Sequence, residues 1–135
     1  MSETAPRRFP AAELEDFIAR ALTSVGLPAQ DASDCGRLMV ASDLAGFDTH
    51  GVFRLAQYMK RIRAGGINVT PTITTVTEAP ATAVVDGDNA MGHLVVEYAT
   101  KLAIAKARDT GCAWVGVRRS NHAGAAATYV SMVAD

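Results

Sequence analysis

Apolar positions recur every three or four residues through the first half of the chain and shift to extended, β-branched runs near residue 70. Phe9-Pro10 followed by Ala11, Leu14, Phe17, Ile18, Ala21 and Leu22 predicts a helix that closes at Gly26, with Pro10 suited to its first turn. A second helix is predicted from about Asp31 to Leu44, carrying Cys35, Leu38, Met39 and Ser42 on one face and stopping at Gly46. Phe47-Asp48-Thr49-His50-Gly51 breaks the period. Helical spacing resumes at Val52, Leu55, Tyr58, Met59 and Ile62 and runs to Gly65-Gly66, which puts His50 at a helix entrance.

Beyond Asn68 to Pro71 the pattern is that of strands. Thr72 to Thr77 is β-branched, Ala79-Pro80 is a break, and Thr82 to Val85 is a second extended run. Asp86-Gly87-Asp88-Asn89 reads as a turn. A long helix follows from about Gly92 to Asp109, with Leu94, Val95, Tyr98, Leu102, Ile104 and Ala105 available for burial. Cys112 to Val117 reads as a compact apolar strand, Ser120 to Gly124 as the loop after it, and Ala125 to Val133 as the start of another helix. The expected fold class is therefore α/β: a helical segment over residues 1–70, then the beginning of a sheet domain over 71–135 that is incomplete in this chain, because three strands alone leave edges and faces uncovered.

The composition adds limits rather than direction. With 135 residues, 49% of them hydrophobic and 20% charged, a folded domain is expected. Thirteen basic and fourteen acidic residues give a net charge of −1, so no overall field favours nucleic acid or a membrane surface. Met1 to Phe9 lacks the apolar stretch of a secretion signal and no run approaches a membrane span, so a cytoplasmic protein is expected. Cys35 and Cys112 have no Cys-x-x-Cys spacing and read as two buried thiols, with no metal site expected.

Chemistry gathers at two loop-to-helix junctions. His50 lies in Asp-Thr-His-Gly, and His122 lies in Ser-Asn-His-Ala-Gly just after a predicted strand, where open α/β sheets place ligands. Imidazole titrates near neutrality, as proton transfer requires. The spacing equally allows each ring to cap a helix or satisfy a buried hydrogen bond. His93, at the start of the long helix, reads as structural. Arg54 and Tyr58 are four apart and share a helix face. There an arginine fork and a phenol could hold a carboxylate, or the pair could be a solvated arginine beside a core tyrosine. Lys60, Arg61 and Arg63 form a basic patch without interleaved aromatics, which reads as a solvated face. Asp86 to Asn89 opens like a calcium loop but lacks the later glycine and closing glutamate, and no glycine-rich phosphate motif occurs.

Taken in order, residues 43–55 (DLAGFDTHGVFRL), 63–68 (RAGGIN), 85–89 (VDGDN) and Ser120-Asn121-His122 resemble the malate/L-lactate dehydrogenase family. The blocks span residues 43–124, and the flanking patterns are compatible with the family throughout. The resemblance implies a non-Rossmann α/β fold, which accounts for the missing glycine fingerprint. It also implies oxidoreduction between small 2-hydroxy acids and 2-keto or cyclic imino acids, with NAD or NADP as cofactor. It places His50 and His122 at the substrate, either of them the proton donor or acceptor, and it matches Arg54 and Tyr58 to positions that hold the acid end. A homodimer is implied, with the site near the subunit interface, and no nucleic acid or membrane partner.

Two residues depart from the family pattern: Thr49 stands where serine is usual, its hydroxyl still able to orient His50, and Ala123 replaces a common aromatic. Family chains are more than twice this length, and the resemblance puts most cofactor contacts after Asp135. The expectation is thus an N-terminal fragment of an NAD(P)-dependent dehydrogenase, inactive in isolation, with His122 as acid/base and His50 with Thr49 as second choice and relay. The alternative is a non-catalytic remnant or fragment that acts only in self-association or with a missing C-terminal piece. Malate, lactate, ureidoglycolate, sulfolactate, diketogulonate and imino acids all remain open as substrates, as does the choice of NAD or NADP.

Overall fold

A computed structural model describes residues 8–134; the rest of the stretch read for a leader, residues 1–7, lies outside the described residues. The order of elements is α1 (Ala11–Thr23), α2 (Ala29–Leu44), a 3₁₀ turn (Val52–Arg54) running into α3 (Leu55–Arg63), β1 (Thr74–Ala79), β2 (Thr82–Ala90), α4 (Gly92–Thr110), β3 (Trp114–Ser120) and α5 (Ala126–Ala134). The result is a mixed helix-and-strand fold around one three-stranded sheet.

The helical layer closes on the stripes that the sequence marks. Pro10 precedes the first turn of α1, and the chain leaves that helix through Gly26 at φ 105°, a left-handed value that suits glycine. α1 and α2 lie against each other so closely that a Cβ on Gly36 would meet the Glu15 carbonyl oxygen at 2.9 Å. Ile18, Leu22, Cys35, Met39 and Val40 fill the seam together with Leu55, Tyr58 and Ile62 from α3, and Met91 joins them from the start of α4. Truncating a leucine buried like Leu22 typically costs about 2–5 kcal/mol, so this seam carries much of the fold's stability.

In the sheet the strand order is β1-β2-β3, with β1 antiparallel to β2 and β2 parallel to β3. A parallel pair needs a crossover, and α4 supplies it. Ala83 pairs with Val115 and Val85 with Val117, so these side chains share a face. Val85 and Val115 pack there against Val95, Ala99 and Leu102 of α4.

Several expectations need correction. Asp86 to Asn89 is part of β2, its ladder irregular between Asp86 and Ala90, because Asp88 and Asn89 adopt φ of 48° and 59° inside the strand. Cys112 is exposed rather than buried, since it lies in the link between α4 and β3; Cys35 is buried. Tyr98 and Ala105 face outward from α4, where Ala99 and the aliphatic stem of Lys106 take the inner positions. The third strand begins at Trp114, and that side chain is 78% exposed.

Candidate active site

Asp43, near the end of α2, organises the first half of the site. Its carboxylate accepts the Val52 N–H at 2.9 Å, satisfying a donor at the head of the 3₁₀ turn. A Cβ on Gly51 would overlap that carboxylate, so only glycine fits there. Between these anchors, the Thr49 hydroxyl and His50 Nδ1 lie 2.9 Å apart and Arg54 Nε donates to the Thr49 carbonyl at 2.8 Å. Arg54 also donates to Gln57 Oε1 at 2.9 Å.

The second half hangs from the end of β3. Asn121 Nδ2 donates to the Asn89 carbonyl, Asn89 Oδ1 and the Ala90 carbonyl at 2.9, 3.0 and 2.9 Å, while its Oδ1 accepts Arg61 at 3.0 Å. Carbonyls at the end of β2, one of them from the left-handed Asn89, thus fasten the His122 loop. Gly92 lets this loop rest on the start of α4, because a Cβ there would overlap the Asn121 carbonyl. Gly124, at φ 76°, turns the loop back over the buried ring of His93.

These halves meet at Tyr58 and His122, whose Oη and Nδ1 are 2.7 Å apart. His50 stacks on His122 with ring centroids 5.6 Å apart and planes inclined by 25°. Arg54, Gln57, Tyr58, Arg61, Ile67, Asn121 and His122 line a cleft of about 240 Å3. A larger open groove of about 1370 Å3 lies between α1, the end of α2 and the 3₁₀ turn, but Phe9, Phe17, Leu44 and Phe53 dominate it and none of its lining residues is a histidine or cysteine. The smaller cleft is therefore the candidate site.

Hydrogen bonding favours one state of His122. The Gly124 N–H, which can only donate, points at Nδ1 from 3.3 Å, so in the neutral ring Nδ1 accepts from it and from the Tyr58 hydroxyl. The proton then sits on Nε2. Partial burial, followed by the nearby charges of Arg54 and His50, holds His122 below the ordinary imidazole value, and the two hydrogen bonds to the neutral ring act in the same direction. Burial pushes the Tyr58 phenol up to about 12, so it remains a donor at neutral pH. His93 is driven down to about 4 by burial and then by His122. Its ring packs edge-on to Tyr58, and neither nitrogen has a hydrogen-bond partner among the described residues.

The structure brings together all five residues singled out from the sequence: Arg54, Tyr58 and His122 line the cleft, His50 stacks at its margin, and Thr49 holds His50 from outside. Three further contributors were not recognised as such from the sequence. Gln57 and Arg61 are cleft residues, and Asn121 is the fastener of the His122 loop. Arg61 had read as part of a solvated patch, although its spacing of seven from Arg54 and three from Tyr58 was a usable signal.

The fold is an α/β segment that carries a pair of stacked histidines beside a small basic cleft, and comparison with known proteins places it. Residues 9–135 match the family model described as malate/L-lactate dehydrogenase, and the chain belongs to that family. It is 44% identical over 128 residues to a malate dehydrogenase of Pyrococcus abyssi, covering 95% of this chain and 35% of that one. It is 42% identical over 113 residues to an L-sulfolactate dehydrogenase of Methanocaldococcus jannaschii, covering 84% and 33%. The solved malate dehydrogenase of Pyrococcus horikoshii superposes with a TM-score of 0.89 at 43% identity, covering 93% and 36%. The chain spans about a third of the length of these relatives.

Proposed function

We propose that this chain forms the substrate-holding and proton-handling part of an NAD- or NADP-dependent oxidoreductase that interconverts a small 2-hydroxy acid and the corresponding 2-keto acid. The observation that carries this reading is the 2.7 Å contact of Tyr58 with His122, set beside Arg54 in one small cleft and stacked on His50. Arg54 keeps terminal N–H groups available after its contacts with Thr49 and Gln57, and these take the substrate carboxylate as a fork.

In reduction His122 acts as the charged ring, giving its Nε2 proton to the substrate oxygen and keeping the one on Nδ1; in oxidation that neutral ring takes the proton back at Nε2, with Tyr58 fixing the ring through Nδ1. When Nδ1 is protonated, Tyr58 must turn its oxygen toward that N–H, which keeps the charged ring short-lived and the proton easily passed on. His50, steadied by Thr49, is the second proton carrier. Bound NAD or NADP would supply the hydride acceptor or donor. A cleft of about 240 Å3 is too small for a whole dinucleotide, and most cofactor contacts are assigned to the two-thirds of the relatives' length that this chain does not span. The protein is proposed to act as a homodimer in the cytoplasm.

The test is turnover of 2-keto acids with NADH and NADPH by a full-length enzyme carrying this segment, compared with its Arg54→Lys variant. A specificity constant reduced by roughly 10–100-fold is expected, the loss typical of a charged hydrogen bond. An unchanged constant removes Arg54 from the site.

A further inference from the structure

The Gly124 N–H that points at His122 Nδ1 belongs to a peptide unit whose other end is held from a different element. Tyr129, on α5, donates its hydroxyl to the Ala123 carbonyl at 2.5 Å, and that carbonyl and the Gly124 N–H are the two polar ends of one peptide. The peptide is trans, so its C=O and N–H point in opposite directions. Fixing the carbonyl on Tyr129 therefore fixes the direction of the N–H, which lies 3.3 Å from Nδ1.

The backbone itself does not hold this unit. No backbone–backbone hydrogen bond among the described residues engages either group. Gly124 has φ 76°, and glycine accepts either sign of φ, so the peptide could turn over at small cost and present its carbonyl to the ring instead. The Tyr129 hydroxyl opposes this, because a carbonyl turned away would leave a buried donor without its partner. Tyr129 is itself firmly placed. It is 6% exposed, burial pushes its phenol up so that it stays a donor, and α5 meets α2 where the Thr128 hydroxyl lies 3.1 Å from that of the buried Ser42. Ser42 adjoins Asp43, which holds the His50 loop through the Val52 N–H. The end of α2 is thus the common reference for both histidine loops.

We propose that Tyr129 is a positioning residue for His122: through the Ala123–Gly124 peptide it aims an N–H at Nδ1, places the resting ring's proton on Nε2, and so makes an N–H, not a lone pair, meet the substrate oxygen. This deepens the proposed function and rests on it for its catalytic consequence. The other groups that face His122 are Tyr58 and Arg54 from α3, His50 from the loop before the 3₁₀ turn and His93 from α4. Arg54 and His50 disfavour a charged ring without choosing between its two neutral forms, and His93 is neutral at ordinary pH. Tyr58 can serve Nδ1 as donor or acceptor. Among these contacts the Gly124 N–H, which can only donate, makes the choice. Charging the ring puts a proton on Nδ1 and breaks that contact, so the same N–H also opposes the charged form.

The experiment is nitrogen NMR of a full-length enzyme carrying this segment, labelled at its histidines, with the His122 signals assigned by their loss in His122→Gln. The neutral ring should carry its proton on Nε2. Tyr129→Phe should shift the population toward Nδ1–H and raise the titration midpoint of His122 by about half a pH unit to one unit, the scale of one net hydrogen bond. The fall of the reduction rate with rising pH, which follows loss of the charged ring, should move up by the same amount. An Nδ1–H ring in the unaltered enzyme would overturn the inference. So would a folded Tyr129→Phe enzyme with tautomer and midpoint unmoved, even at a lower rate, since that is the mark of a merely structural tyrosine.

If Tyr129→Phe does not fold, Tyr129→fluorotyrosine decides. It keeps the shape and donates more strongly, so the midpoint should fall, and an unmoved or raised midpoint would overturn the inference. If no 2-keto acid is turned over while the tautomer shifts as expected, the proposed function fails and the positioning of His122 by Tyr129 stands.

Discussion

Arginine serves opposite purposes at two places in this molecule. At the end of the sheet, Arg118 and Arg119 close on Asp86 at 2.9 and 3.3 Å, and Arg119 reaches Asp88 at 2.6 Å. Asp86 is further held by the Asp88 N–H, while Asp88 accepts Asn68 and the Thr72 N–H, so every charge there is met within the chain. In the cleft, Arg54 and Arg61 are oriented by neutral oxygens of Thr49, Gln57 and Asn121 and have no carboxylate partner among the described residues. The first arrangement fixes a backbone that would otherwise be unfavourable, since Asp88, Asn89 and Arg119 all have positive φ. The second leaves both guanidinium groups lining the cleft.

The strongest way to break this contrast is to remove the proton handler from the cleft. His122→Ala in a full-length enzyme carrying this segment should lower kcat by roughly 10²–10⁴-fold, the usual contribution of a positioned acid/base, with cofactor affinity little changed. If His50→Ala instead erases the pH-dependent limb of the rate profile and His122→Ala preserves it, the two histidines exchange roles.

A second prediction concerns the buried histidine beneath the cleft. His93 has a folded-state value of about 4 against about 6.5 when unfolded, so the unfolded chain binds the extra proton first. Stability should therefore be fully present above pH 6.5 and fall by about 3 kcal/mol as pH drops to about 4, the folded value setting the lower end of the window. Urea unfolding across that range should show the slope, and His93→Phe should flatten most of it. An unchanged slope would mean that other groups govern the acid limb.

Of smaller size is the effect of loosening the His122 loop. Asn121→Ala removes the donor to Asn89 and Ala90 and the acceptor for Arg61, and a shift of the ring by a fraction of an ångström should lower kcat by about 10-fold. The measurement is kcat alongside circular dichroism; loss of the folded spectrum instead would make Asn121 a residue of the fold.

The smallest effect is expected at the sheet end. Asp86→Asn should lower the melting temperature without altering the specificity constant of the full-length enzyme. The Asp88 N–H, followed by Arg118 and Arg119, holds the Asp86 carboxyl below its usual range. Its stabilising contribution is accordingly present above the unfolded carboxylate value and lost as pH falls through the lower folded one. A change in substrate specificity would blur the distinction between the two arginine pairs.

What the sequence determined by itself was local in origin. Periods of three and four residues located α1, α2, α3 and α4, and β-branched runs located the sheet, because each element must turn one consistent face toward a core. His50, Arg54, Tyr58 and His122 stood out because their neighbours are turn residues, glycines or helix positions four apart. Tertiary structure alone decided that residues 64 positions apart meet at Tyr58 and His122, that Asn121 is fastened by carbonyls from β2, and that the exposed Arg61 also lines the cleft. It also decided that Asp86 to Asn89 continues a strand, since the carboxylates that look like turn residues are bound by Arg118 and Arg119 from β3. The physical reason is range: hydrophobic period and turn chemistry act between near neighbours, whereas the pairing of charges and the convergence of a site depend on which elements the core brings together.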